Sequence, residues 1–520
     1  MIQLKKNVAI IDLGSNSVRT MIIKIFHNGS YVMVDQFRFM VRLSQGMGDD
    51  HILQLEPMKQ TIKAIRTFRW LLERFNVQKD DIHCVATAAV RRAKNQSYFL
   101  KLLKQQTGLD FDAITGMEEA YYTYLGVVNT IDIRDFIMID IGGASTEIAL
   151  VRDRKLKETA GFDFGAVTLS ETFLGTDHIS SKNIEKTRSM IINAFHQYPW
   201  INEGQNMPLV GVGGSIRTIA KINKNLVDFP FERMHNYRLN KEEINSIYQE
   251  ILSVDLKKRK QINGIGKTRA DIIAGGTFPV QCLLEYLQIN QLIVSGNGLR
   301  EGLFYYYYAH EFGIKDYMVE DVLVHSIENL LKLYDMNISH CYHVRYLVLQ
   351  LFDFTHSLHQ WGEWERKILS VASMLHDIGT YVDYYNHQQH GFYLIMNSRI
   401  NGLTNKELLY CAFLVGMHRV YSLKENWKKY KSLLDRIDYK KIKKMSLLLR
   451  IAEHLDRSEY GKVRAMESEL DDKAVHINIF SNSNLELEIS SSLIFREEFQ
   501  KLMKRNLIIS QKYRIPTDIN

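Results

Sequence analysis

Over the first ~300 residues, short apolar runs with β-type alternation are separated by longer stretches whose apolar positions recur every three or four residues. The runs predict strands at 7–13, 18–26, 31–39, 82–86, 135–141, 146–151, 208–212 and 291–295. The longer stretches predict helices at 56–76, 95–107, 117–129, 180–198, 241–253, 269–287 and 299–309. Strands interleaved with helices read as an α/β fold. From about 320 to 460 only the helical period persists, which predicts an all-α module. Alternation returns from about 474, in Val475–Ile479 and again in Leu485–Ile489, and predicts a small α+β cap at the end.

Within this pattern one phrase occurs twice, as Ile-Ile-Asp-Leu-Gly-Ser-Asn-Ser from Ile10 to Ser17 and as Met-Ile-Asp-Ile-Gly-Gly-Ala-Ser from Met138 to Ser145. In each copy a strand ends on an aspartate, a glycine follows two places on (Gly14, Gly142), a serine five places on (Ser17, Ser145), and a second apolar run begins. Such a hairpin wraps phosphate oxygens, because glycine lets backbone N–H groups approach and the serine hydroxyl adds a donor. Two copies imply a duplicated domain whose halves face each other across a cleft. Asp12 and Asp140 would then point at a shared metal–phosphate centre.

The length of 520 residues, with 46% hydrophobic and 24% charged residues, fits a soluble chain of three or four domains. Cys84, Cys282, Cys341 and Cys411 are scattered and contain no C-x-x-C pair, which argues against a disulfide framework or a thiolate zinc site. No apolar run reaches the length of a membrane span or builds a signal-peptide core, so a cytoplasmic protein is expected. The net charge of +7 is modest, but residues 424–444 carry nine basic side chains against three acids. That stretch reads either as a solvated basic face or as a track for a polyanion. No nucleic-acid-binding signature accompanies it, and an inorganic or nucleotide phosphate chain suits it better.

Hydrolysis of a phosphoanhydride needs a base to orient water, cations to neutralise oxygens, and a metal on the anhydride. Glu118 and Glu119 sit in the first turn of a helix behind Gly116, where acids also favour the helix dipole. The place of that helix between the two hairpins makes Glu119 the candidate base, with Arg91 as cation and Asp12 and Asp140 as metal ligands. Two further glycine phrases, Gly211–Ser215 (with Gly213, Gly214 and Ser215) and Ser295–Gly302, are weak phosphate signals. Gly264–Thr268 lacks the earlier glycine of a Walker A loop, since Gln261 stands there.

Together these motifs, with Thr87-x-x-x-Arg91-x-Ala93-x-Asn95, Gly116-x-Glu118-Glu119-Ala120, Asp140–Glu147 and Gly298–Gly302, resemble the exopolyphosphatase and guanosine pentaphosphate phosphatase family over at least residues 7–310. The resemblance implies two ribonuclease-H-like, actin-like halves, here residues 1–130 and 131–312. It implies Glu119 as catalytic base. Asp140, Gly142, Gly143, Ser145 and Glu147 would line a phosphate and Mg²⁺ (or Mn²⁺) site, with Asp12, Gly14, Ser15, Asn16, Ser17 and Arg91 opposite. Ala144 departs from the family's third glycine.

The helical module, residues 313–465 ahead of the cap at 466–520, resembles metal-dependent His-Asp (HD) phosphohydrolases. That likeness implies His343, His376 and Asp377 as ligands of a second divalent metal. The distal ligand place holds Glu453 with Asp456 one turn on, and His387, His390 and His418 stand by to supplement the set. The alternative is a helical platform that binds a polyphosphate tail and builds a homodimer. The expected activity is release of terminal phosphate from inorganic polyphosphate. Hydrolysis of guanosine pentaphosphate (pppGpp) is the alternative, and a non-catalytic sensor or a sugar or acetate kinase are the readings from other classes.

Overall fold

The computed structural model describes every residue except 1, 49, 420–422 and 514–520. The chain forms two compact units, one of residues 3–322 and one from residue 323 onward. In the first unit the two repeated phrases each seed a sheet. β1 (Leu4–Leu13), β2 (Ser17–Phe26), β3 (Tyr31–Met40), β4 (Ile82–Ala86) and β5 (Asp112–Ala113) lie in the order β3-β2-β1-β4-β5. β6 (Phe136–Ile141), β7 (Thr146–Arg152), β8 (Lys155–Phe162), β9 (Leu209–Gly213), β10 (Tyr237–Asn240) and β11 (Gln291–Val294) form the second sheet, β10-β11-β9-β6-β7-β8.

Read from β8, the second sheet repeats the first with β10 added at its edge. In both, the first three strands are antiparallel and the fourth runs parallel to the first. The repeat extends to single hydrogen bonds. The Gly14 N–H donates to Ser17 O at 3.1 Å, and Gly142 N–H to Ser145 O at 3.0 Å. The chain that leaves the third strand then pins each turn. Asn16 O accepts from Val41 and Arg42, while Gly142 O and Gly143 O accept from Ala166 and Val167. The copies are therefore duplicates in structure as well as in sequence.

All eight expected strands of this unit are present, with ends shifted by three residues at most. Three strands escaped the pattern. β5 has two residues, β10 has four, and β8 is a charged edge strand, Lys-Leu-Lys-Glu-Thr-Ala-Gly-Phe, whose alternation is weakly apolar. The helix Gly214–Leu226, which starts on the Gly213–Gly214 phrase, was also not foreseen. The expected 269–287 helix begins only at Ile273.

Helices Gly116–Val128 and Leu299–Phe312 pack through glycines. A Cβ on Gly126 would lie 2.3 Å from Gly298 O, and one on Gly302 would lie 1.6 Å from Tyr122 O. Gly302, read from sequence as part of a phosphate phrase, is thus a packing residue that brings the two helix backbones together.

The second unit is built on helices Ile338–Phe354, Glu363–Leu375, His387–Asn397, Asn405–Gly416 and Arg436–Leu455. Tyr410, Phe413 and the leucines of the last helix fill its centre. It ends in a three-stranded sheet of β12 (Ala465–Leu470), β13 (Ala474–Phe480) and β14 (Asn506–Lys512), with helices Glu486–Leu493 and Arg496–Met503 between β13 and β14. The cap is α+β as expected, yet the alternating Leu485–Ile489 stretch opens a helix rather than a strand. The reason is a buried polar face: Glu488 accepts from the Ser458 hydroxyl at 2.6 Å and pairs with Lys462, and Ser492 lies buried one turn on.

Gly302→Ala should therefore destabilise the first unit by about 2 kcal/mol or more, since overpacking against backbone cannot be relieved by a rotamer change. Denaturant unfolding of the full chain measures it, and unchanged stability would remove Gly302 from the contact.

Candidate active site

The β1–β2 and β6–β7 turns, the end of β9 and the N-terminus of helix Leu299–Phe312 surround a cleft with about 170 Å³ of water-accessible space. Asp12, Gly14, Ser15, Asn16 and Ser17 line it from one hairpin. Asp140, Gly142, Gly143 and Ser145 line it from the other, and Glu119, Gly213, Gly214 and Ser215 complete the expected set. A Cβ on Gly143 would come within 3.8 Å of the Ser15 Cβ, so the two turns nearly touch. Gly213 holds φ +101°, and a Cβ there would sit 2.7 Å from Ile141 O and 3.1 Å from Asp140 Oδ1. That position requires glycine both for its backbone angle and for the space above Asp140.

The paired acids of the Gly116 helix divide their roles. Glu118 closes a capping box: its carboxylate accepts from Thr115 N–H at 2.7 Å, and its own N–H donates to the Thr115 hydroxyl at 3.2 Å. Glu119 faces the cleft instead, held by Arg91, whose Nη1 donates to Glu119 Oε2 at 2.9 Å and to Ile114 O at 3.0 Å. Arg91 and Glu147, expected at the phosphate, are not among the residues that line the cleft. Arg91 lies behind Glu119 and fixes it. Glu147 is buried on β7, where it accepts from Ser145.

Burial raises the affinity of all four acids for protons. Asp12 is raised, Asp140 is pushed up to about 6, and Glu119 to about 7, with the charges of Asp140 and Asp12 adding to the effect on Glu119. Glu147 is raised well above its ordinary value, by burial first and then by Glu119 and Asp140. Facing these acids are five arginines that sequence reasoning did not assign to the site: Arg19, Arg38, Arg217, Arg269 and Arg300. Burial and their mutual repulsion lower Arg38 and Arg217 to about 10 each, and Arg269 is lowered for the same reasons. Arginines crowded this closely form a receptor for a multiply charged anion. Two lay within reach of the sequence argument: Arg19 stands opposite Asp12 in the hairpin, and Arg217 follows Gly213–Gly214 by three residues.

Comparison with known proteins places this geometry. A model of the Ppx/GppA phosphatase family matches residues 22–311, more than half of the chain, and a model of Ppx/GppA phosphatase domain III matches residues 322–505. The chain belongs to the Ppx/GppA phosphatase family. It is accordingly a hydrolase of phosphoanhydride bonds on an actin-like α/β fold with a helical C-terminal domain.

A bifunctional 3-dehydroquinate synthase/phosphatase of Fusobacterium nucleatum is 27% identical over 308 residues, 56% of this chain and 45% of that protein, so less than half of that relative is matched. A guanosine-5'-triphosphate,3'-diphosphate pyrophosphatase of Pseudoalteromonas atlantica is 27% identical over 424 residues, 79% of each chain. Among solved structures, an Aquifex aeolicus member of the Ppx/GppA family shares 26% identity over 60% of this chain and 99% of its own, with a TM-score of 0.52.

In the domain III region of this Ppx/GppA phosphatase, the expected metal ligands separate. His376 and Asp377 cluster with His340, while His343, one turn along the same helix, turns away. Its Nε2 lies 2.8 Å from Val463 O, and its Nδ1 lies 3.1 Å from Asp456 Oδ2. His387 and His418 join Asp377, and His390 joins neither group. Glu453 is 2.6 Å from the Arg419 guanidinium. The basic 424–444 stretch is partly tied down, with Lys441 on Glu365, Lys428 on Glu425, and Lys431 and Lys443 over Trp427 and Tyr439.

Gly213→Ala should lower turnover roughly tenfold or more by displacing Asp140, and should lower stability as well, because its Cβ meets the Ile141 carbonyl at a positive φ and a small shift at a reacting centre costs that much. Steady-state rates beside circular dichroism measure it, and wild-type rates would show that Asp140 tolerates the methyl.

Proposed function

We propose that this phosphatase is an exopolyphosphatase, releasing terminal phosphate from inorganic polyphosphate. The observation that carries the reading is the lining of the cleft. It offers five arginines and two glycine turns, and none of its lining residues is aromatic, so it suits a chain of phosphates more than a stacked base.

Asp12 and Asp140 offer hard oxygen donors at the meeting of the two turns. The repulsion among the buried acids around them is the kind a divalent cation relieves, so Mg²⁺ or Mn²⁺ fits there. Once bound, such an ion neutralises phosphate oxygens and weakens the bridging P–O bond. The backbone N–H groups of the two turns other than those of Gly14 and Gly142, which close the hairpins, bind the terminal phosphate together with Ser15, Ser17 and Ser145. The arginines hold the following units and disperse charge that develops on the leaving oxygen.

Glu119, raised to about 7 and oriented by Arg91, takes a proton from water as the oxygen attacks the terminal phosphorus. The bridging bond breaks, one orthophosphate leaves, and the shortened chain departs as the leaving group. The four cysteines are buried and unpaired, which supports a reducing, cytoplasmic setting. No helix among the described residues is long and apolar enough to cross a membrane.

A second reading, hydrolysis of pppGpp, has its own support: the relative named for that activity aligns with 79% of this chain. Phosphate release with Mg²⁺ from long-chain polyphosphate and from pppGpp, each with wild type and Glu119→Gln, separates the two. Release from long chains that falls roughly 10²-fold or more in Glu119→Gln is expected, the usual scale for a lost base. Release from pppGpp alone would establish the second reading, and unaltered rates in the variant would move the base elsewhere. The KM for long chains should rise steeply with salt, since several arginines hold the polyanion, and a salt-independent KM would contradict their role.

A further inference from the structure

Helix Gly116–Val128 carries Glu119 in its first turn and Thr123 four residues on, so the two side chains leave the same face. Thr123 is 0% exposed, and its hydroxyl lies 3.3 Å from Asp140 Oδ2 near the end of β6. An ionised carboxylate only accepts, so the threonine hydroxyl is the donor. A threonine inside a helix commonly bonds back to the carbonyl four residues earlier. This chain does so repeatedly: Thr61 to Pro57 O at 2.8 Å, Thr107 to Leu103 O and Thr187 to Asn183 O at 2.7 Å, and Thr218 to Gly214 O at 3.0 Å. Thr123 departs from that habit. Its hydrogen goes to Asp140 rather than to the Glu119 carbonyl.

A carboxylate rotates about its Cβ–Cγ bond over a broad range, so a donor on one oxygen is what selects the direction of the other. Thr123 holds Oδ2, and Oδ1 lies beneath Gly213, which lines the cleft. Asp12, the equivalent carboxylate of the other hairpin, has no hydrogen-bond donor of this kind among the described residues, so the two copies differ at the point where they meet the cleft. The helix that supplies the hydroxyl is itself fixed. Gly126 and Gly302 seat it against Leu299–Phe312, and Arg91 clamps its Glu119.

We propose that Thr123 is a positioning residue for the hydrolysis: its hydroxyl turns the Asp140 carboxylate so that Oδ1 is offered to the divalent cation, and ties that carboxylate to the helix that carries Glu119. One helical turn thereby holds the base and the metal carboxylate in fixed relation. Thr123 does not line the cleft and acts only through Asp140. The inference rests on the proposed reading of Asp140 as a ligand of Mg²⁺ or Mn²⁺.

The test uses the full chain with Thr123→Val, which keeps the shape and loses the hydroxyl, Thr123→Ser, which keeps the hydroxyl, and Asp140→Asn. Mn²⁺ binding to the substrate-free proteins is followed by electron paramagnetic resonance of the unbound ion, and the binding lost in Asp140→Asn defines the Asp140 site. Thr123→Val should weaken that site roughly tenfold or more, the scale for losing a partner that orients a metal ligand. The Mg²⁺ concentration for half-maximal phosphate release should rise by a similar factor, and Thr123→Ser should regain most of both. A merely structural threonine would change stability without moving metal affinity. Circular dichroism checks that each variant folds, and Thr123→Ala, which loses the same hydroxyl, replaces Thr123→Val if that variant does not. Wild-type metal affinity in the hydroxyl-less variant, or a loss that Thr123→Ser does not regain, would overturn the inference while leaving the Asp140 site standing. Wild-type binding and turnover in Asp140→Asn would overturn the reading of Asp140 and this inference with it.

Discussion

The first unit depends on an electrostatic opposition held inside a fold. Asp12, Glu119, Asp140 and Glu147 are buried close enough to raise one another's proton affinity, and five arginines are crowded into the same cleft closely enough for three of them to be lowered. Neither set relaxes fully onto the other: Glu119 pairs at 2.9 Å with Arg91, which does not line the cleft, and of the five cleft arginines Arg300 lies 3.7 Å from Glu301. What settles both sets together is a ligand that brings phosphate oxygens to the arginines and a cation to the acids. On the proposed reading, the cleft is preorganised for a metal-bound phosphate chain, and the folded framework bears the cost of keeping it so.

Duplication supplies that framework. The same five-strand arrangement, the same N–H to O closure of each hairpin and the same pinning by the chain beyond the third strand deliver an aspartate from each half to one place. Glycine contacts let the connecting elements approach closely enough to bring in the remaining groups. Gly126 and Gly302 seat two helices backbone to backbone, and Gly213 leaves room above Asp140.

Much of this was legible in the chain. The twin phrases disclosed the hairpins, the α/β class and the two aspartates, because strand, turn and carboxylate follow from local chemistry at fixed spacing. The capping box explains why a first-turn acid here carried a structural reading beside the catalytic one: both Glu118 and Glu119 suit a first helical turn, and only the tertiary course of the chain turns Glu119 inward. The arginines were illegible for a related reason. Arg38, Arg217 and Arg269 come from a strand, a helix and a connecting segment far apart in sequence, and an isolated arginine carries no local signal. The likeness to His-Asp phosphohydrolases implied His343, whereas the structure gives His343 to Asp456 and Val463 and turns His340, one helical turn earlier, toward Asp377. Leu485–Ile489 misled through a two-residue alternation, since the buried Glu488 and Ser492 mark a helix face that hydropathy alone does not show.

The central claim is that water, oriented by Glu119, attacks the terminal phosphorus of a phosphate chain held by the arginines. Turnover of long-chain polyphosphate in ¹⁸O-labelled water, with mass analysis of both products, tests it most directly. The account predicts one labelled oxygen in each orthophosphate released and none in the shortened chain. Label in the shortened chain would place the attack at another phosphorus and contradict it.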